Sequence, residues 1–147
     1  MRKTAASTVV RGLLHPAAGP LVRVEVSGMS GAALKGVAVL DTGASMSALD
    51  VSVAADLALE SFGVADFHAL AAGEARHLAP TRRVRVRIAD DSRLWELDLV
   101  ELPNLRHAIE GYEVLALLGW DFLDQCLLTC DGPTGMFSLT LPTMPRP

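Results

Sequence analysis

The sequence predicts a mainly β domain with one or two short helices. Apolar and polar residues alternate along several segments; in LVRVEV, for example, Val22, Val24 and Val26 fall on one face. Clusters typical of turns, such as SGMSG and DGPTG, separate these segments. One segment, SALDVSVAADLAL, instead has the spacing of an amphipathic helix. These observations together favour strands joined by tight turns.

The first part of the chain predicts strands followed by the helix. Residues 1–20 are either a flexible lead-in or contain a first strand around Thr8–Leu14. LVRVEV and ALKGVAVL are the next two strands, joined by SGMSG. The helix in SALDVSVAADLAL should have about three turns, and Asp50 or Ser47 could cap its start. Its predicted buried face carries Val53, Ala54 and Leu57.

The middle of the chain predicts two hairpins. ADFHALAAGEARHLAP is interpreted as two short strands that meet at a mobile tip. In RRVRVRIADDSRLWELDLVEL, arginines alternate with apolar residues on one strand, acids alternate with apolar residues on the other, and Asp90-Asp91-Ser92 forms the turn. The arginines can therefore face acids across the strands, and the basic run is interpreted as a solvated sheet face.

The last part predicts a loop, a strand, a short helix and a final hairpin. NLRHAIEGYE is the loop, and VLALLGWDFLDQ is an apolar strand that crosses Gly119 into a helix over Trp120–Gln125. LLTCDGPTGMFSLTL is the final hairpin, with its turn at DGPTG. The predicted domain spans residues 21–141, and residues 142–147 are a proline-rich tail.

Composition limits the partners of this domain. The chain has 147 residues, half of them hydrophobic, which is enough for one domain with a core. A net charge of −4 argues against nucleic acid as a partner. No apolar stretch is long enough to span a membrane, and Arg11 interrupts the only candidate signal peptide. Cys126 and Cys130 are expected to be reduced thiols in a cytoplasmic protein.

No metal site or serine nucleophile is indicated by a motif. The histidines have no spacing typical of metal ligands, and no cofactor is predicted; they are His15, His68, His77 and His107. The chain has no Gly-Xaa-Ser-Xaa-Gly motif, and Ser45 and Ser47 have no histidine partner nearby in sequence.

Asp41, at the end of VAVL, needs an explanation. Aspartate is depleted in strands, and burying a lone carboxylate is costly. An ordinary turn is one interpretation of Asp-Thr-Gly. However, this tripeptide ends an apolar strand and precedes the small residues Ala44 and Ser45. LALLGWDFL, an apolar segment that crosses a glycine, follows much later in the chain.

With these motifs, the chain resembles the retropepsin-like aspartic proteases, which include retroviral proteases and bacterial relatives. In that family a strand delivers Asp-Thr-Gly-Ala/Ser, and an apolar-apolar-Gly segment followed by a short helix packs beside it. Leu117, Leu118 and Gly119 match that segment, and Trp120–Gln125 matches the helix. The resemblance covers Leu21 to Leu141. It implies a closed, barrel-like β domain that acts as a C2 homodimer.

The implied activity is that of an aspartic endopeptidase. Two carboxyl groups share one proton, so that one can accept a proton from water while the other acts on the scissile carbonyl. The chain has one Asp-Thr-Gly, and Asp121 is not followed by Thr-Gly. The resemblance therefore implies that each subunit contributes one Asp41 at the two-fold axis. The implied partners are a second copy and a peptide or protein substrate, with no membrane or nucleic acid.

The resemblance also assigns roles to the residues around Asp41. Thr42 would hydrogen-bond across the interface, and Gly43 would allow the sharp turn. Ala44 and Ser45 would line the cleft floor and contact substrate. The segment Leu117–Asp121 would support the catalytic loop.

A pair of residues common in retroviral enzymes is missing. Those enzymes often carry an acid at the position of Ser45, paired with an arginine at the position of Trp120. Trp120 is expected to replace this ion pair by packing.

The predicted flap is Leu70–Leu78. Ala72, Gly73 and Glu74 would contact substrate, with Gly73 at the tip. An ordinary hairpin loop is the alternative interpretation. The segment is also more polar than expected for a flap that contacts apolar side chains of a substrate. The polar flap and the missing ion pair leave a second function open: a peptide-binding or dimerisation module with weak or no catalysis.

Overall fold

The computed structural model describes residues 7–68 and 76–143. These residues form ten strands and two helices, in the following order: β1 (Thr8–His15), β2 (Gly19–Ser27), β3 (Ala33–Leu40), β4 (Ala48–Asp50), α1 (Val51–Asp56), β5 (Ser61–His68), β6 (Arg76–Ile88), β7 (Trp95–Leu102), β8 (Val114–Leu118), α2 (Trp120–Leu123), β9 (Leu127–Asp131) and β10 (Met136–Leu141).

Six of these strands close into a barrel. The sheet runs in the order β5-β6-β7-β4-β8-β3-β2-β1-β10-β9, and an additional pairing joins β6 to β2. The strands from β6 to β2 in this order therefore form a ring. In the closing pair, Val24 lies opposite Ile88 in antiparallel register. The prediction of a mainly β, closed, barrel-like domain with one or two short helices is confirmed.

The alternating segments fill the barrel as their pattern predicts. Successive strand residues point to opposite faces, so Val22, Val24 and Val26 are buried while Arg23 is exposed. β6 contributes apolar residues to the core in the same way. At one end, Trp95 of β7 packs edge-to-face on Phe122 of α2, with 5.5 Å between ring centroids. The short helix α2 is thereby fixed to the barrel.

Strand β1 and the final hairpin extend the sheet beyond the barrel. β1 pairs with β10 from Thr8 to Leu13, and only Leu14 and His15 pair with β2. The strand predicted around Thr8–Leu14 is confirmed, and so is the hairpin of β9 and β10. Both elements follow directly from alternation and turn residues.

The arginine-rich strand pairs as predicted. Arg83 of β6 lies opposite Asp98 of β7, and its Nε donates to the carboxylate at 2.9 Å. The first of the two predicted hairpins is also present, as β5 and β6. Its second strand is not short, because β6 continues without interruption into the barrel. The tip of this hairpin, residues 69–75, lies outside the described residues.

Both helices are shorter than predicted. α1 has six residues, less than two turns, because Ala48 and Leu49 pair with β7 and β8 and form strand β4 instead. α2 ends at Leu123 rather than Gln125. Asp50 caps α1 by accepting a hydrogen bond from the N–H of Ser52 at 2.7 Å. In the described part of the chain, neither helix is long and apolar enough to cross a membrane.

Candidate active site

Asp41 stands where β3 leaves the barrel. Its N–H donates to the carbonyl of Leu118 at 2.9 Å, which continues the parallel pairing of β3 with β8. One carboxylate oxygen accepts the N–H of Gly43 at 2.8 Å, and the Asp41 carbonyl accepts the N–H of Ala44 at 3.3 Å. The side chain is half-buried. The backbone therefore holds one carboxylate in a fixed position that is still open to solvent.

Two glycines allow the close approaches of this loop. A methyl group at position 43 would lie 3.2 Å from the nearer carboxylate oxygen of Asp41 and would crowd it. A methyl group at position 119 would lie 2.7 Å from the carbonyl oxygen of Ala44. A side chain at position 119 would therefore separate the junction of β8 and α2 from the catalytic loop.

The start of α2 is hydrogen-bonded to the loop that begins at Asp41. The N–H of Trp120 donates to the carbonyl of Ala44 at 2.7 Å, and the N–H of Asp121 donates to the carbonyl of Ser45 at 3.2 Å. The segment Leu117–Asp121 thus lies against the loop that begins at Asp41. The first turn of α2 supplies donors to carbonyls that the tight turn leaves unpaired.

A hydrogen-bonded pair of side chains, the buried Ser47 and the exposed Asp121, connects the same two segments. The Ser47 hydroxyl donates to the Asp121 carboxylate at 2.6 Å and accepts the N–H of Gly119 at 2.9 Å. The backbone N–H of Ser47 donates to both carboxylate oxygens at 3.0 Å. Of the two residues predicted to cap α1, Asp50 occupies that position and Ser47 does not. The sequence signals available for this pair were a serine shortly after Asp-Thr-Gly and an acid inside the apolar segment VLALLGWDFLDQ.

Most of the other site residues predicted from the sequence that the structure describes are exposed or half-buried. Thr42 and Ser45 are exposed, Ala44 is half-buried, and the Trp120 side chain is 54% exposed. The predicted flap residues Ala72, Gly73 and Glu74 lie outside the described residues. The structure therefore places the loop that begins at Asp41 beside Leu117–Asp121, and the catalytic and flap roles stay predictions.

The two cysteines do not form part of this site. Cys126 and Cys130 are both free. Burial, with a smaller effect of Asp124, raises the pKa of the Cys126 thiol to about 11, so it stays protonated at neutral pH. Within residues 7–68 and 76–143, no group of three or more His, Cys, Asp or Glu residues could hold a metal ion.

The whole fold can be compared with known proteins. A crystal structure of a retropepsin-like aspartic protease from Rickettsia conorii is similar to this chain, with a TM-score of 0.51. The similarity covers 92% of this chain and 94% of that one, at 15% sequence identity. The fold is retropepsin-like. No family model and no curated protein matches the sequence itself. The relation between the two retropepsin-like structures is therefore one of fold.

Proposed function

We propose that this chain is an aspartic endopeptidase that works as a symmetric homodimer. The observation that carries the proposal is the setting of Asp41. A half-buried carboxylate, open to solvent, is held by backbone hydrogen bonds at the end of a strand of a retropepsin-like barrel. The half-buried position leaves the carboxylate able to exchange a proton with water.

Two Asp41 carboxyl groups, one from each subunit, supply the two roles that the reaction needs. The ionised carboxylate accepts a proton from water as the water oxygen attacks the scissile carbonyl carbon. The protonated carboxyl gives its proton to the carbonyl oxygen. When the C–N bond breaks, a proton passes to the leaving nitrogen and the pair again shares one proton. A C2 axis brings a residue against its own copy and so creates this pair.

Asp121 is unsuited to be the second carboxyl within one chain. Both of its carboxylate oxygens accept the N–H of Ser47, and one also accepts the Ser47 hydroxyl. These hydrogen bonds direct the Asp121 carboxylate at Ser47, so it connects α2 to the loop that begins at Asp41. This geometry favours a second copy of the chain as the source of the second carboxyl.

The proposed substrate is an extended peptide with apolar side chains. The β5–β6 hairpin continues past the barrel, and its described part exposes Phe62, Val64 and Leu78. Extended peptides bind such hairpins by strand-like hydrogen bonding, with apolar side chains in adjacent pockets.

The predicted cytoplasmic location stays a prediction and is consistent with the free cysteines.

The proposal is tested by Asp41→Asn, which keeps the shape of the side chain and removes its acid–base chemistry. Both proteins are incubated with a diverse peptide pool from about pH 4 to 7, and products are identified by mass spectrometry. We expect cuts from the wild type only, with the sedimentation of both dimers unchanged. Cuts at the same sites by Asp41→Asn would contradict the proposal.

The exposed Trp120 and the neutral Ser45 favour one second candidate, a peptide-binding or dimerisation module without turnover. They differ from the ion pair that the resemblance implies at these positions. A dimer that binds peptides from the pool but makes no cuts at any pH would favour this module over the endopeptidase.

A further inference from the structure

Trp120 is a large apolar side chain that is exposed beside the catalytic loop. It is 54% exposed, whereas the other tryptophan, Trp95, is 1% exposed. Tryptophan is enriched at binding surfaces, where it often contributes much of the affinity. The backbone of Trp120 is fixed by its 2.7 Å hydrogen bond to Ala44, so the indole is presented from a rigid position.

The position of Trp120 relative to Asp41 follows from two hydrogen bonds. Ala44 donates to the Asp41 carbonyl at 3.3 Å and accepts from Trp120 at 2.7 Å. The two bonds are made by the backbone nitrogen and the carbonyl oxygen of the same residue, Ala44. The Trp120 nitrogen therefore lies within about 10 Å of the Asp41 carbonyl oxygen.

A dimer that joins two Asp41 carboxylates must cover this neighbourhood. Two carboxyl groups that share a proton place the two-fold axis within a few ångströms of each. An interface of ordinary size buries about 800 Å² per partner, equal to a disc of about 16 Å radius. At a distance of about 10 Å or less, the backbone of Trp120 falls inside such a disc centred on Asp41.

We propose that Trp120 is the apolar anchor through which a second copy of this chain binds. The inference rests on the proposed function, since the Asp41 pair sets the axis. The loop Thr42–Met46 beside Trp120 carries no charged residue, so the contact it offers is uncharged. Burial of such a surface depends weakly on salt, whereas an interface held by exposed ion pairs weakens as salt rises.

The wild-type protein reports this contact through its own fluorescence. Indole emission moves to shorter wavelength when the ring leaves water, and Trp95 is already buried. Dilution through the dimer dissociation constant should therefore shift emission to longer wavelength, in step with sedimentation. Trp120→Phe should keep the dimer and lose the shift, because only the buried Trp95 remains.

Trp120→Ala tests the energetic contribution. Both copies lose the side chain in a symmetric interface, so the dissociation constant should rise by at least about 100-fold. Sedimentation of the two proteins over a range of concentrations measures this rise. Leu94→Ala, which truncates a 45% exposed leucine between β6 and β7, is the matched control. It should leave the dissociation constant within about threefold of the wild type.

The outcomes separate the inference from the proposed function. A Trp120→Ala dimer as tight as the wild type, or no emission shift across wild-type dissociation, would overturn the inference while wild-type cleavage still supports the protease. A wild type that is monomeric and inactive at every concentration would overturn the proposed function, and the inference with it. A wild-type dimer that cleaves peptides and is insensitive to salt, together with a weakened Trp120→Ala dimer, would support both.

Discussion

The buried Ser47 and the exposed Asp121 form a hydrogen-bonded connection between the loop that carries Asp41 and the junction of β8 and α2. The hydroxyl of Ser47 lies 2.6 Å from the Asp121 carboxylate and 2.9 Å from the nitrogen of Gly119. One side chain thus donates to α2 and accepts from the glycine that precedes it. Together with the hydrogen bond from Trp120 to Ala44, this pair fixes the loop that carries Asp41.

Ser47→Ala should loosen this loop. The substitution removes the donor to Asp121 and the acceptor for Gly119 in a buried setting, so unfolding free energy should fall by about 1–3 kcal/mol. Cleavage should fall further than the loss of folded protein explains, because the Asp41 carboxylate is no longer held in one position. Urea denaturation and peptide cleavage at equal dimer concentration measure the two effects.

The exposed Ser30, in the turn between β2 and β3, supplies the control for this experiment. Ser30→Ala should change both stability and cleavage little. Asp121→Asn gives an independent check, since the amide would present N–H groups to the N–H of Ser47. If Ser47→Ala cleaves at the wild-type rate per folded dimer, the pair is structural only and does not position Asp41.

The strands were predictable because their physical signal is local. Alternation with a period of two identified β2, β3, β6 and β7, and buried and exposed faces follow from the pleat. Asp41 stood out in the sequence because a carboxylate at the end of an apolar strand conflicts with the cost of burial, and its catalytic role stays a prediction. These features need only a few neighbouring residues.

The remaining features depend on contacts between distant segments. Ala48 and Leu49 look helical in sequence, but they form β4 because β7 and β8 offer backbone partners on both sides. The pairing of Ser47 with Asp121 joins segments 74 residues apart and arises only when β8 lies beside β3. Local periodicity contains no information about either contact.

Asp50 should make stability depend on pH at the acidic end. Burial alone would raise the pKa of this carboxyl, but hydrogen bonds from the Ser52 hydroxyl and from the N–H groups of Arg106, Ser52 and Leu105 outweigh it and lower the pKa. A lowered folded-state pKa stabilises the protein above the unfolded value of about 3.9, and this contribution is lost as pH falls toward the folded value.

Asp50→Asn tests this dependence. At neutral pH the substitution should cost about 1–3 kcal/mol of unfolding free energy, because a charged acceptor of several buried donors is replaced. The difference from the wild type should shrink as pH falls below about 4. Urea titrations at several pH values measure it, with the exposed Asp90→Asn as control. A difference that stays constant across pH would show that the Asp50 charge does not contribute.

Gly119→Ala should damage both fold and activity, because the junction of β8 and α2 has no space for a methyl group. The added carbon would lie 2.7 Å from the Ala44 carbonyl oxygen and 2.8 Å from that of Met46, both backbone atoms that cannot rotate away. The loop must therefore shift, at a cost of about 1–3 kcal/mol in unfolding free energy. Gly132→Ala in the β9–β10 turn is the matched control, since nothing lies within 4 Å of its added carbon. Thermal unfolding and cleavage measure both variants. If the two variants unfold at similar temperatures and cleave at similar rates, the loop that carries Asp41 does not depend on the close approach of Gly119 to the carbonyls of Ala44 and Met46.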